Sequence, residues 1–407
     1  MTYPLLNHVS VVESSAFIAA PLAGMTLAEF GADVIRIDMI GGGIDYARMP
    51  RISPKGRSLY WTALNKGKRS VAVDIRHPQG RELIADMAVA AGNLLTNIAT
   101  PWLNYEVLAT RRADLIACVI QGNADGSTAV DYTVNSSTGY PNMTGDASAD
   151  RPVNHVLPAW DIACAHQAAF AMVAALSRRQ LSGEGSDIKL ALSDVAFSTL
   201  SHLGVMAEAE LLEQERPALG NYLYGAFGLD FATADGRRVM IVAISSGQWK
   251  ALVQCCDIGL AIAGAQHSLK LDFADEAQRF EGREIIAALL RPWFASRTFK
   301  QVESELSRAK VCWGRYNSVR ELLATDPRVG LGNPLYERID TPGIGEHLTA
   351  RSAARFEGVA HLPTRAAPLL GTHTDEVLHQ LLGLSGAEIG RLHDAGVIAG
   401  PEKDPTL

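Results

Sequence analysis

Cysteine is scarce in this 407-residue sequence: five residues, at 118, 164, 255, 256 and 312, an odd number with no Cys-x-x-Cys pair. A disulfide framework is thereby excluded, and reduced thiols in a cytoplasmic protein are expected. His155, His166 and His202 show no His-x-x-x-His or His-Glu-x-x-His spacing, so no metal site is expected. No Gly-x-Ser-x-Gly elbow encloses Ser193, which leaves a hydrolase triad unsupported. The turn after the first predicted strand reads "SSAFIAAPLAG" and lacks the Gly-x-Gly-x-x-Gly fingerprint of dinucleotide binding, while Gly41–Gly43 comes too late and runs into loop. Basic residues are also short at the amino end, where Arg36 is the first Lys or Arg, and Pro21 and Gly24 break the apolar stretch 16–30. Neither a signal peptide nor a membrane span is expected there. Lys plus Arg number 37 against 44 Asp plus Glu, a net charge of −7 that disfavours nucleic acid or an anionic membrane as partner. Internal repeats and low-complexity tracts are absent.

What is there suits a large folded enzyme-sized protein: 47% hydrophobic and 20% charged residues fit two or three domains with a substantial core. Short apolar runs at 7–13, 33–37, 70–75, 93–98 and 115–122 alternate with helical periods at 22–30, 78–91 and 102–109. That alternation predicts βαβ units on a parallel sheet, an α/β fold. Pro78 in a first turn and Gly31 past a helix end are suitable punctuation. Residues 162–179 predict a helix apolar almost all round, the kind that belongs inside a large protein. A strand and a second long helix follow. A charged, proline-containing connector at 213–219 opens a smaller α+β block to about residue 330, with a hairpin turning at Asp235–Gly236 and helices from 246 to about 328. The tail from 333 reads as loop-rich, closing with helices at 374–382 and 385–395.

Two features carry candidate chemistry. "NKGKRS" at 65–70 puts Lys66, Lys68 and Arg69 in one turn before a strand, either a solvated turn or a cationic loop for a phosphate-rich ligand. Asp161 stands immediately ahead of the long apolar helix. There it is either a plain N-cap or, in the same geometry, a carboxylate kept ionised in an apolar pocket by the helix end and able to act as a nucleophile. Cys164 reads as buried filler, and Trp61, Trp160 and Trp313 read as packing residues.

Four strings in order, "FIAAPLAGMTLAEFGADVIRID", "LNKGKRSVAVDIRHPQGRELI", the Asp161 segment followed by "SGEGSDIKLALSDVA", and "RAAPLLGTHTDEVL…LGLSGAEIGRLHDAGVI", resemble class III CoA-transferases of the formyl-CoA/carnitine type. The likeness runs over nearly the whole chain. Within that family, "GGGIDYARMP", "VDYTVN", "NHVLPAWD", "GNYLYGAFG" and "TPGIG" are most similar to members that move CoA between the two carboxyls of one C5 dicarboxylic acid. An autotrophic 3-hydroxypropionate cycle is the setting this suggests.

The resemblance implies an interlocked homodimer, each chain with a Rossmann-like large domain (1–212, completed by the returning segment 331–407) and a small domain at 213–330. It makes Asp161 the catalytic aspartate, and Phe17, Ile18, Ala19, Lys68, Arg69, Thr96, Asn97 and Ile98 contacts to coenzyme A. Gln121 and Asn123 fall where members place polar groups near the thioester. Coenzyme A enters as part of the substrate, with no prosthetic group. Met39 and Tyr105 replace frequent arginines, so the adenosine end is expected to be held less electrostatically. The implied chemistry is intramolecular CoA transfer through aspartyl anhydride and aspartyl-CoA thioester, with amides at the helix start binding the oxyanion. Competing readings are an intermolecular CoA-transferase, an α-methylacyl-CoA racemase and a non-catalytic acyl-CoA-binding protein. Val130 stands where racemases carry a histidine, which removes one of their two proton-transfer groups.

Overall fold

The computed structural model describes residues 3–98, 100–146 and 151–407. Six strands, β1 (Ser10–Ser14), β2 (Asp33–Asp38), β3 (Arg69–Val73), β4 (Asn93–Thr96), β5 (Ile116–Gln121) and β6 (Ser186–Ala191), run parallel in the order β3-β2-β1-β4-β5-β6. The short strand Ile398–Ala399 adds antiparallel beside β3. Valine, isoleucine and leucine dominate the inner strands, and Val11, Val12, Val34, Ile35, Val71, Leu94, Leu95 and Ile116 are completely buried. Burial on both faces is why these runs are continuously apolar instead of alternating. In register, Val12 lies opposite Ile35 of β2 and Leu94 of β4. This strand order is that of a doubly wound α/β sheet, whose direction of winding reverses between β1 and β4.

The helix Pro78–Ala91 shows why the crossovers form where they do. Pro78 opens it, the His77 ring accepts from the Gln79 amide, and Gly92 at φ 72° closes it in the left-handed conformation. Its buried Leu83, Ile84, Met87 and Ala88 share a core with Val73, Leu94, Val377, Leu378 and Leu392, so the C-terminal helices complete a core begun by the N-terminal half. The helix Ala159–Ser182 packs against the helix Ala19–Glu29. It is long and apolar enough to span a bilayer. It is nevertheless two-faced: Trp160, Cys164, Ala165, Ala168, Met172 and Leu176 are buried, while Phe170, Val173 and Leu181 are exposed.

Packing separates the chain into two compact units. One comprises Met1–Thr138, Val156–Leu211 and Pro327–Leu407, the other Gly139–His155 and Leu212–Asp326. The second unit is built on the antiparallel sheet β7 (Phe227–Ala232), β8 (Arg238–Ala243) and β9 (Cys312–Arg315), in that order. Its own core holds Phe227, Phe231, Ile241, Trp249, Phe273 and Phe294, with the Phe231 and Phe294 rings stacked at 4.5 Å. The turn between β7 and β8 lies at the expected Asp235–Gly236. Local differences from the sequence expectation are few. The loop-rich tail contains an antiparallel hairpin, Tyr336–Thr341 with Gly345–Ala350, and a short helix, Leu59–Asn65, precedes the "KGKR" turn. The second long helix is broken at Gly204, φ 74°, into Leu192–His202 and Val205–Leu212.

Candidate active site

Ligands of doubly wound sheets settle outside the carboxyl ends of the strands where the winding reverses. A cavity of about 610 Å³ opens at that place in the first unit. Phe17, Ile18 and Ala19 follow β1, Arg48 lies in the loop after β2, Asn97 follows β4, and Ile120, Gln121 and Gly122 end β5 and begin its loop. Tyr60, Val130, Asp131, Tyr132, Val156, Pro158 and Asp161 contribute further wall. The β1 loop is held under strain. Phe17 has φ 65°, a left-handed conformation that a residue with a side chain rarely adopts. Its amide donates to Asp45 Oδ2 at 3.0 Å, while Asn97 clamps the preceding residue, accepting from Ala16 N at 2.9 Å and donating to Ala16 O at 2.7 Å.

Asp45 belongs to a buried charge cluster that anchors this loop from below. Arg36 bridges Glu13 at 3.1 Å, Asp38 at 2.9 Å and Asp45 at 3.4 Å, and Lys68 meets Glu13 at 2.8 Å. Every member is at most 4% exposed on its side chain. Buried charges persist only when paired in this way, and removing one partner would strand the rest.

Asp161 is the third residue of the helix Ala159–Ser182, within the first turn and not at the cap. The cap residue, Pro158, has no side-chain acceptor. Asp131 supplies the acceptor from 30 residues away: its Oδ2 takes the Trp160 amide at 2.8 Å and the Asp161 amide at 3.1 Å. Asp131 is 2% exposed, and its Oδ1 has no hydrogen-bond partner. Three expectations are corrected here. Asp161 is not the N-cap, because Asp131 already occupies the first-turn amides, and those same two amides are not available to an oxyanion. Burial, with the Asp131 charge adding to it and Arg48 opposing it, raises the Asp161 carboxyl from 3.8 to about 7, so the helix end does not keep it in the usual ionised range. The consequence is a half-buried carboxylic group free of capping duty and facing a cavity.

Residues 6–374 match the model of one enzyme family, CoA-transferase family III. The chain is 48% identical over 404 residues to 2-methylfumaryl-CoA isomerase of Chloroflexus aurantiacus, covering 98% of this chain and 99% of that one. The chain belongs to CoA-transferase family III. A second family relative, succinyl-CoA–D-citramalate CoA-transferase of the same organism, is 26% identical and covered to 98%. A CAIB/BAIF family protein from Brucella suis has the same fold, with TM-score 0.75 and 24% identity over 94% of this chain and 100% of that one.

In this family III chain, six of the expected site residues gather round the one cavity: Phe17, Ile18, Ala19, Asn97, Gln121 and Asp161. Thr96 and Ile98 instead line a neighbouring groove of about 480 Å³ with Tyr105 and Lys189. Asn123 is turned into its own loop, donating to Ser127 Oγ at 2.9 Å, and Gln121 Nε2 donates to Ala124 O at 3.0 Å. The cationic-loop expectation is corrected for Lys68 and Arg69. The Lys68 ammonium is sealed among Glu13, Asn65 and the Pro21 carbonyl, and burial pulls it down to about 8 against the pull of Glu13. Arg69 is spent on Asp33, Gln380 and Glu376. Both cations tie strands and helices together, and neither reaches the cavity. Cys164 is buried and its thiol pushed up to about 12, which suits filler. Among the described residues no three His, Cys, Asp or Glu side chains stand close enough to hold a metal ion.

Arg48, Tyr60 and Asp131 were not legible as site residues. The one available signal for Arg48 was its position, a lone cation in the loop beyond the carboxyl end of a parallel strand. Nothing local marks Asp131, whose partners are 29 and 30 residues onward.

Proposed function

We propose that the protein converts 2-methylfumaryl-CoA (mesaconyl-C1-CoA) to its C4 isomer by intramolecular CoA transfer, with Asp161 as nucleophile. The observation that carries the reading is Asp161 itself: a carboxyl set in a cavity wall, raised to about 7 chiefly by burial and relieved of capping by Asp131. The 48% identical isomerase supports the choice of substrate.

Asp161 Oδ attacks the C1 carbonyl carbon, the C1–S bond breaks and coenzyme A leaves as thiolate, giving an aspartyl–mesaconyl anhydride. The thiolate then attacks the aspartyl carbonyl and mesaconate departs as a dicarboxylate, leaving aspartyl-CoA. The C4 carboxylate attacks that thioester, the thiolate leaves again, and its attack on the C4 carbonyl restores free Asp161. Each covalent state of Asp161 is uncharged, so the desolvation that disfavours its carboxylate favours acylation. Water must be kept out while the anhydride exists. With the Trp160 and Asp161 amides occupied, backbone donors at Ile18 and Ala19, where the helix Ala19–Glu29 begins without a side-chain cap, are placed on this wall to serve the oxyanion.

The test is incubation with mesaconyl-C1-CoA as the sole thioester, in the presence of labelled free mesaconate. The C4 ester is expected to form without label, and Asp161→Asn to abolish it. Label entering the product would transfer the assignment to an intermolecular CoA-transferase.

We also propose a homodimer. The face of the helix Ala159–Ser182 that carries Phe170 (73% exposed), Val173 and Leu181 supports it, since a monomer gains nothing from leaving that stripe in water.

A further inference from the structure

We infer that Arg48 is the receptor for the carboxylate not engaged in the thioester, and that it confines the site to dicarboxylic acyl groups. This deepens the acyl-CoA reading above and rests on it. Three charged residues line the cavity: Arg48, Asp131 and Asp161. The acyl end of a monocarboxylic thioester is uncharged and has no use for a cation there. A dicarboxylic one brings an anion next to two aspartates, and without a counter-charge their repulsion would expel it.

Arg48 is built for that role. Its guanidinium carbon lies 5.2 Å from the Phe17 ring centroid and 5.3 Å from that of Tyr60, so two cavity-lining aromatics are in cation–π reach of it. Among the described residues it forms no ion pair, unlike Arg36 and Arg69, which are both saturated by carboxylates. A flat fork seated against aromatic rings, its donors unspent, matches a carboxylate in bidentate fashion. The Tyr60 hydroxyl beside it is buried without a partner, and burial pushes its pKa up, so it stays a donor lacking an acceptor. The backbone that presents this pair is firm: Arg48 N donates to Asp45 O, and Asp45 is locked into the buried charge cluster. Because the esterified and free carboxyls exchange places during the reaction, one cation serves both isomers, holding C4 before transfer and C1 after it.

The experiment measures binding apart from turnover. In the Asp161→Asn protein, mesaconyl-C1-CoA and tiglyl-CoA are titrated by calorimetry; tiglyl-CoA has a methyl where the other has its free carboxylate. Adding Arg48→Met is expected to weaken mesaconyl-C1-CoA about 10- to 100-fold and tiglyl-CoA less than about threefold, with Arg48→Lys between the two. Arg48 is exposed, so both variants are expected to fold as the parent does. Equal weakening of both thioesters would assign Arg48 to the coenzyme, and no weakening of either would leave it no role; each overturns the inference while sparing the acyl-CoA reading. If the Asp161→Asn protein with Arg48 intact binds neither thioester, the acyl-CoA reading itself fails.

Discussion

A carboxyl raised to about 7 makes the protein's chemistry and its stability respond to pH in opposite directions. In the mechanism proposed above the nucleophile is the ionised form, so kcat/KM for the proposed isomerisation is expected to rise with pH and level off above about 7. Asp131 contributes to that raised value, and Asp131→Asn, which keeps an oxygen for the Trp160 and Asp161 amides, should move the inflection to lower pH. A profile unmoved by Asp131→Asn would mean that burial acts alone. For stability the sign reverses. Between 3.8 and about 7 the folded protein keeps a proton on Asp161 that the unfolded chain has released, so folding weakens as pH rises through that window. Asp161→Asn carries no such cost. Its melting temperature should match wild type near pH 4, pull ahead as pH climbs, and hold a constant lead above about 7, which thermal scans across that range will show.

At the level of elements, the cavity owes its shape to loops pinned from beneath. The β1 loop rests on Asp45 and Asn97, Asp45 rests on Arg36, and Arg36 rests on Glu13 and Asp38. Gly24 of the helix Ala19–Glu29 lies directly over Glu13: a Cβ there would overlap Glu13 Oε2, the oxygen paired with Lys68. Glu13 is completely buried and has nowhere to retreat. Gly24→Ala is therefore expected to lose about 3–5 kcal/mol in denaturant unfolding, the cost of breaking a buried ion pair, although alanine is the better helix former. A loss below about 1 kcal/mol would show that the cluster tolerates displacement. The long helix depends on a similar remote support. Asp131→Ala removes both bonds to its first turn and should cost about 1–2 kcal/mol, as the loss of an N-cap does.

For the whole molecule, the prediction concerns assembly. Light scattering on the purified protein is expected to give twice the 43.7 kDa chain mass. Phe170→Glu, at a position 73% exposed in the single chain, should shift that mass toward the monomer. An unchanged mass in the variant would place the contact surface elsewhere. The exposure of Phe170 also revises the expectation that this helix is wholly internal: Ala165, Ala168, Ala169, Met172 and Leu176 are buried, while Phe170, Val173 and Leu181 face out.

Much of the architecture was determined by the sequence alone. Strands buried on both faces must be continuously apolar, helices between them must carry a 3.6-residue period, and Pro78, Gly92 and Asp235–Gly236 are conformational requirements of single residues. Those constraints are local, so they can be read locally. The duties of polar side chains were not. "KGKR" looks the same whether Lys68 is to meet a phosphate or Glu13, and an aspartate ahead of a helix looks like its cap until another aspartate is found doing that work. A charge's role is set by what lies within a few ångströms of it, and for Lys68, Asp161 and Arg48 those neighbours come from residues 55, 30 and 31 positions away (Glu13, Asp131 and Phe17). Only the folded chain brings them together, and with them the difference between an ion-paired strut, a poised carboxyl and an unspent cation.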